Sequence, residues 1–206
     1  MMQGNRLTHG FRIQSGKLDY PFKFSAANKQ EDNTKLLIHS SENLVSLERF
    51  AFDGRDFYMT KFIDYRSPDR FYRKHRFFVI GGKVYPGFLI VSNQWLIQSD
   101  DQARSTFPDF PESLAAEEKA FLTKFRKKEI SILEEIYRVA DLGFLGIDCA
   151  FDEIGRPIVF GAGGNKHHHA EAKAQRYYSG KMLKQLDHSV ERMISKTLHE
   201  SRNQNG

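Results

Sequence analysis

One acidic residue, Asp148, stands inside the apolar segment FLGIDCAF, which spans residues 144–151. An ionised carboxylate among apolar side chains is costly unless a positive group neutralises it, so the expected partner is a bound cation or an arginine. The next residue, Cys149, points to the opposite face of an extended segment and is expected to be a buried core thiol. Asp148 is therefore the strongest single candidate for a functional residue.

The densest basic segment of the chain spans residues 66–76 and has the side chains to bind anionic groups. A guanidinium can hold a phosphate through two parallel N–H···O bonds. The segment also contains aromatic residues, a combination found in proteins that bind single-stranded nucleic acid, although aromatics in such a loop usually pack inward. The basic residues are Arg66, Arg70, Arg73, Lys74, His75 and Arg76, and the aromatic ones are Tyr65, Phe71 and Tyr72.

Three consecutive histidines, His167, His168 and His169, suggest a metal site at first sight. Consecutive side chains point to different sides of a helix or strand, so the three cannot all reach one ion. Zinc sites also use ligands at spacings such as i and i+4. We expect a structural or solvent-exposed role for them, with one histidine lining a cleft as the alternative.

The strands that would position these residues are predicted to form antiparallel hairpins. One hairpin is predicted over residues 76–90, around the two-residue turn Gly81-Gly82, and another over residues 143–160, with a loop over residues 161–164. Further strands are predicted over residues 18–24, 35–39 and 56–64.

Helical periodicity separates these strands. Residues 111–140 follow it with a break near Lys128, residues 170–198 follow it on one face, and a shorter segment, residues 41–50, has Leu44, Leu47 and Phe50 at helical spacing. Hairpins alternating with helices predict an α+β fold rather than a doubly wound parallel sheet. The predicted organisation is a flexible arm over residues 1–17, one domain over residues 18–198 and a polar tail over residues 199–206.

Two segments of the chain resemble ATP-grasp proteins. Phe57–Trp95 (FYMTKFIDYRSPDRFYRKHRFFVIGGKVYPGFLIVSNQW) is similar to the hinge strand and following hairpin of that family, and Ala140–Phe160 (ADLGFLGIDCAFDEIGRPIVF) to its metal-bearing hairpin. The segment between them, starting with AEEKAFL at residues 116–122, is similar to the helical insert of the family. The match extends from about Pro21 to about Ala170.

The resemblance implies an α+β, ATP-grasp-like fold with two small lobes that clamp ATP. It also implies an ATP-dependent ligase that phosphorylates a carboxylate and lets an amine or thiol attack the acyl phosphate. Positioning and charge neutralisation are the protein's tasks in such chemistry. The subdomain that normally precedes this portion is missing, so a separate chain is one expected partner.

The resemblance implies the following nucleotide-binding residues. Lys23 matches a basic residue that pairs with the α- or β-phosphate. The loop after it, SAANKQEDNT over residues 25–34, has no glycine and carries Glu31 and Asp32, so it is not expected to cradle phosphate in the usual way. Asp64 is expected to substitute in part for an acidic residue after the hinge. The hinge itself, whose backbone pairs with adenine, matches Met59, Thr60, Lys61 and Phe62.

The resemblance further implies a magnesium site and catalytic arginines. Asp148 matches the first Mg²⁺ ligand, and Arg76 and Arg73 are the arginines expected to hold a γ-phosphate or an acyl phosphate. The usual Glu-x-Asn at the end of the hairpin is replaced by Gly161-Ala162-Gly163, which offers only carbonyl oxygens. Asn165, two residues further on, is the candidate second ligand, and a full two-metal site is not expected.

Three functions therefore stay open. The first is an active ATP-dependent ligase. The second is a catalytically degenerate relative that binds a nucleotide or a protein partner without turnover, which the replaced ligands at Gly161 and Gly163 favour. The third is a nucleic-acid-binding protein that uses residues 66–76, and a steep salt dependence of binding would identify it.

Composition agrees with a soluble globular protein and adds little to the choice among these three functions. The chain has 206 residues, 40% of them apolar and 28% charged, and its net charge of +5 suits an anionic ligand. No apolar run approaches the roughly 18 residues of a membrane span, and residues 1–16 contain no apolar leader. The single cysteine fits a reducing compartment, so we expect a cytoplasmic protein without membrane association.

Overall fold

A computed structural model gives the architecture of the chain. The chain divides into two units, Met1–Asp64 and Tyr65–Gly206, and each is described by itself. The structure describes residues 6–7, 11–12, 19–26, 35–50, 56–97, 111–123, 127–164 and 180–204.

The described residues of the first unit form two small antiparallel sheets. Strands β1 and β2 form a two-stranded ribbon, and β3, β4 and β5 form a three-stranded sheet in the order β4-β3-β5. The strands are β1 (Arg6–Leu7), β2 (Phe11–Arg12), β3 (Phe22–Ala26), β4 (Lys35–Ile38) and β5 (Phe57–Lys61).

One face of this three-stranded sheet is covered by a 3₁₀ helix, Ser41–Arg49. Its buried residues Leu44 and Leu47 are three positions apart, and Phe50 follows after three more. This spacing suits the three residues per turn of a 3₁₀ helix, so the predicted helix forms in its tighter variant. These side chains pack against Phe22, Phe24 and Ile38.

The second unit is built on a four-stranded antiparallel sheet with the order β7-β6-β8-β9. Gly81 and Gly82 connect β6 to β7 with φ angles of 54° and 81°, values that glycine adopts readily and that two-residue hairpin turns require. Both predicted hairpins are thus present. The strands are β6 (Tyr72–Ile80), β7 (Lys83–Ser92), β8 (Phe144–Phe151) and β9 (Pro157–Gly163).

The described residues of this unit also form three helices: α1 (Glu112–Phe121), α2 (Lys127–Ala140) and α3 (Gly180–Gln204). The break between α1 and α2 lies slightly before the predicted position at Lys128. Helix α3 continues through residues 199–204, which the sequence analysis assigned to a polar tail. Among the described residues, no helix is both long and apolar enough to cross a membrane.

The helices cover both faces of the four-stranded sheet. Side chains alternate along β6, so Phe77 and Val79 lie in the core with Leu114, Phe121 and Leu133 of α1 and α2. Phe78 and Ile80 face the other way and pack against Leu186 of α3. Antiparallel sheets packed with helices confirm the predicted α+β class.

This packing makes a stability prediction for helix α2. Leu133 is 0% exposed in the core, whereas Val139 on the same helix is 84% exposed. We expect Leu133→Ala to lower the free energy of unfolding by about 2–5 kcal/mol through lost burial and the cavity it leaves. Val139→Ala, the matched control, should change it by no more than about 0.5 kcal/mol. Urea unfolding of both variants measures the difference, and equal effects would contradict this core assignment.

Candidate functional site

Asp148 and Arg76 form a bidentate ion pair in the middle of the four-stranded sheet. Nε and Nη2 of Arg76 donate to Oδ1 and Oδ2 of Asp148 at 2.5 and 2.6 Å. The two residues are direct neighbours across β6 and β8. The Asp148 side chain is 9% exposed and that of Arg76 is 17% exposed, so both charges are mostly removed from water. Of the two partners expected for Asp148, the structure thus supplies the arginine.

Two β-bulges lie in the row of the sheet that carries this pair. The β6–β7 register shifts between Arg76 and Phe77, and the β8–β9 register shifts between Asp148 and Cys149. The first shift leaves Gly87 as the extra residue of β7, where a Cβ atom would lie 2.8 Å from the Arg76 carbonyl oxygen and 2.9 Å from its Cγ. A side chain at position 87 would therefore push against Arg76. Bulges commonly redirect side chains in this way near functional sites.

A third contact fixes the plane of the guanidinium. The Cζ atom of Arg76 lies 4.8 Å from the ring centroid of Phe88, its neighbour on β7. Such cation–π contacts are favourable and restrict the rotation of the group. Nη1 of Arg76 has no hydrogen-bond partner within the described part of the chain. The arrangement leaves part of a preoriented guanidinium able to donate to an anion.

The described residues around Asp148 do not fit a magnesium ion. Mg²⁺ requires several hard oxygen ligands in near-octahedral geometry. Both oxygens of Asp148 accept hydrogen bonds from Arg76, and the residue opposite Asp148 on β9 is Gly161. Gly163, the other replaced position, lies opposite Gly146. Within the ranges that the structure describes, no group of three His, Cys, Asp or Glu side chains is arranged to hold a metal.

Arg73 lies on the opposite side of β6 from Arg76, because the two are an odd number of residues apart on one strand. Its Nε and Nη2 donate to Glu117 of α1 at 2.7 and 2.8 Å. Nη1 and Nη2 also donate to Asp69 at 3.0 and 2.7 Å. These bonds, first to Glu117 and then to Asp69, raise the pKa of Arg73. The structure does not bring Arg73 and Arg76 together, and Arg73 joins α1 to the loop before β6.

Other members of the basic segment 66–76 are also engaged within the chain. Lys74 Nζ donates to the carbonyl oxygen of Ile97 at 2.8 Å, and the Arg66 Cζ lies 5.8 Å from the Tyr72 ring centroid. Tyr65 and Tyr72 are buried and contact each other, with ring centroids 4.8 Å apart. These two aromatic side chains are therefore poorly placed to stack on bases.

Lys23 is the predicted nucleotide-binding cation of the first unit. It lies on β3, the central strand, between Leu37 of β4 and Thr60 of β5. Its side chain lies on the face of the sheet opposite Phe22 and Phe24, which fill the core. Burial, and then the neighbouring positive charge of Lys35, lower the pKa of Lys23. No acidic group contributes to this shift among the residues that the structure describes.

The predicted hinge residues occupy an edge strand and the segment after it. Met59, Thr60 and Lys61 belong to β5, which pairs with β3, and the Phe62 N–H donates to the Pro21 carbonyl oxygen at 3.0 Å. Asp64 is exposed and lies beyond the strand. A backbone role toward adenine stays a prediction for this strand.

Some predicted residues lie outside the described part of the chain. These are Asn165, the three histidines His167, His168 and His169, and most of the loop SAANKQEDNT. Their roles remain predictions.

Two polar residues, Glu118 and His75, have buried surroundings that the sequence did not predict. Glu118 of α1 is buried, and its Oε1 accepts a hydrogen bond from the Val91 N–H of the edge strand β7 at 2.9 Å. Its position between Leu114 and Phe121, at helical spacing, was a signal for this burial.

His75 is the second such residue, and its imidazole lies in an aromatic cluster. The ring centroids of Phe121 and Phe151 lie 5.2 and 5.1 Å from that of His75. Its Nδ1 is buried without a hydrogen-bond partner within the described residues. Burial lowers the pKa of His75 to about 4, against smaller opposing effects from the Cys149 backbone and Glu117.

Comparisons with known proteins give only distant structural likenesses. No family model and no curated protein matches the chain. The chain is similar to a carboxyaminoimidazole ribonucleotide synthase from Aspergillus clavatus complexed with ATP. The sequence identity is 13%, the match covers 72% of this chain and 35% of that chain, and the TM-score is 0.42. For a D-alanine–D-alanine ligase from Bacillus anthracis the identity is 12%. That match covers 91% of this chain and 57% of the ligase, with a TM-score of 0.46.

A third likeness is to an L-amino acid ligase from Bacillus licheniformis, with 14% identity and a TM-score of 0.40. The match covers 73% of this chain and 33% of that ligase. The chain thus spans between one third and somewhat over one half of the length of these three proteins. At these identities and TM-scores the likenesses carry no conclusion about activity.

The Arg76–Asp148 pair leads to a prediction for a double-mutant cycle. Arg76→Met or Asp148→Leu alone leaves one charge buried without its partner, so each should lower the free energy of unfolding by about 3–5 kcal/mol. The double variant R76M/D148L replaces both charges by apolar groups and should be clearly more stable than either single variant. Urea unfolding of the four proteins gives the coupling energy. Additive single effects would show that the pair does not act as a unit.

The environment of His75 predicts a pH dependence of stability. The unfolded chain takes up this proton near pH 6.5 and the folded chain near pH 4. Between these values the unfolded state binds more protons, so lowering the pH destabilises the fold, by at most about 3 kcal/mol from this residue. Its contribution is fully present above pH 6.5.

His75→Phe should weaken this decline, since Phe fits an aromatic cluster and does not titrate. The exposed His188 provides the control, and His188→Gln should leave the decline as in the original chain. Thermal or urea unfolding between pH 4 and pH 7 measures the slope. An unchanged slope in the His75 variant would refute this assignment.

Proposed function

We propose that this chain is a nucleotide-binding protein of the ATP-grasp type, with ATP as the ligand. The surroundings of Lys23 carry this proposal. Its ammonium group is partly buried on the central strand β3, and its pKa is lowered. Among the described residues, no acidic group contributes to this shift. A cation in that situation gains most from an anionic ligand, because a phosphate oxygen would replace the lost hydration.

The resemblance of the two hairpin segments supports the same proposal. Phe57–Lys61 forms the expected strand, and the segments around Arg76 and Asp148 form paired strands of one sheet. The proposed adenine contact is the backbone of Met59–Phe62. Arg76 is the proposed phosphate ligand of the second unit.

Two outcomes after nucleotide binding are proposed as alternatives. An active ligase would transfer the γ-phosphoryl group of ATP to a carboxylate. A catalytically degenerate relative would bind ATP without turnover. The second is favoured by the Arg76–Asp148 pair and by glycine at positions 161 and 163, because phosphoryl transfer by such enzymes depends on metal ions.

Nucleic-acid binding is the weaker alternative. Tyr65 and Tyr72 are buried, and Arg73 is held by Asp69 and Glu117. These contacts use side chains that a nucleic-acid surface on residues 66–76 would need.

Calorimetric titration of the chain with ATP tests the proposal. We expect Lys23→Gln to weaken ATP binding by roughly tenfold or more, since a charge-assisted hydrogen bond contributes about 1.5–3 kcal/mol. Lys83, exposed at the start of β7, provides the control, and Lys83→Gln should bind as the original chain does.

Titrations with magnesium, with manganese and with a chelator complete the experiment. Release of ADP in the presence of a metal would identify a turnover-competent protein. Failure to bind ATP under all three conditions would refute the proposed function.

A further inference from the structure

We infer that Asp148 is the positioning residue of an anion-binding arginine, and that Arg76 binds a polyphosphate group without a divalent cation. This inference rests on the proposed function and concerns the second unit alone. It departs from the magnesium site implied by the resemblance, in which Asp148 would hold the metal.

The guanidinium of Arg76 has donors for both the carboxylate and a ligand. Its Nε and Nη2 are bonded to Asp148, and Nη1 has no hydrogen-bond partner among the described residues. A guanidinium has five N–H donors, so about three remain for a ligand once the bidentate pair is formed. The side chain is 17% exposed, which leaves the group reachable from solvent.

The neighbours of Arg76 hold its guanidinium in place before any ligand binds. Asp148 holds one edge of the guanidinium, Phe88 lies against its face at 4.8 Å, and Gly87 leaves the space that its Cγ occupies. A group fixed by three neighbours loses little conformational entropy when a ligand binds. Two bulges lie in the same row of the sheet, and such irregularities change the direction of nearby side chains.

The charge of Arg76 also opposes a divalent cation at Asp148. Both carboxylate oxygens already accept hydrogen bonds from Arg76, so a dication on this carboxylate would compete with the guanidinium and be repelled by it. The residue opposite Asp148 on β9, Gly161, brings no side-chain oxygen to offset that cost. Donation from Arg76 to a phosphate requires no such rearrangement.

The test uses the full chain with two probes, ATP and inorganic tripolyphosphate. Affinities are measured by calorimetry in excess chelator and in excess magnesium. We expect both probes to bind in chelator, with magnesium changing the affinity by less than about threefold, and Arg76→Lys to weaken binding about tenfold. The double variant R76M/D148L, which removes the donor and the carboxylate together, should lose the same binding while remaining folded by circular dichroism.

A nitrogen-15 spectrum of the arginine side chains tests the positioning role itself. The Nε–H signal of Arg76, assigned by its loss in the Lys variant, should be protected from exchange by Asp148. It should stay protected but change its chemical shift when tripolyphosphate is added, because Nη1 of the same guanidinium then binds the anion, and it should lose protection in Asp148→Asn. A protein in which Asp148 served the fold alone would show no response of this signal to tripolyphosphate.

The outcomes separate this inference from the proposed function. ATP binding only in the presence of magnesium or manganese, with loss of the protected Arg76 signal on adding the metal, would overturn the inference and leave the proposed function standing. Tripolyphosphate binding at Arg76 in chelator without any ATP binding would support the inference and refute the nucleotide proposal. Binding of neither probe under any condition would overturn both.

Discussion

The cost of keeping an ionised carboxylate inside a sheet is the constraint on which the second unit depends. Arg76 offsets this cost for Asp148 of the apolar strand β8 by pairing with it from β6. That pairing fixes the register of the two strands, since a slip by one residue would leave both charges facing apolar side chains. The bulge at Gly87 and the contact with Phe88 then adapt β7 to the arginine.

Strand β6 passes through two different chemical environments along its length. Near the Gly81-Gly82 turn, β6 is buried on both faces, because α1 and α2 pack on one side and α3 on the other. Toward its start the strand carries polar side chains that are neutralised one by one, Arg73 by Glu117 and Arg76 by Asp148. The half of β6 near the turn therefore serves the core alone, and the half near its start carries the candidate site.

Local signals account for the parts of the fold that the sequence predicted well. Gly81-Gly82 specifies its hairpin because few other residues adopt positive φ twice in succession. The partner of Asp148 could be narrowed to a cation or an arginine from the cost of burial alone. The choice between them depends on a cross-strand register between residues 72 positions apart, and no local pattern encodes it.

Placing the start of β6 at Arg76 instead of Tyr72 also concealed that Arg73 and Arg76 face opposite sides. The pairing of β9 through Gly161–Gly163 was missed for a related reason, since glycines are typical of loops and only the neighbouring strand reveals their role.

The glycine at position 87 has a consequence for how this chain can change over evolutionary time. Its missing side chain is required by the backbone and Cγ of Arg76, and Arg76 in turn is required by Asp148. A substitution at any one of the three positions is disfavoured while the other two persist. The closest of these contacts is with the backbone oxygen of residue 76, so the constraint on position 87 persists even in a chain that has lost the ion pair.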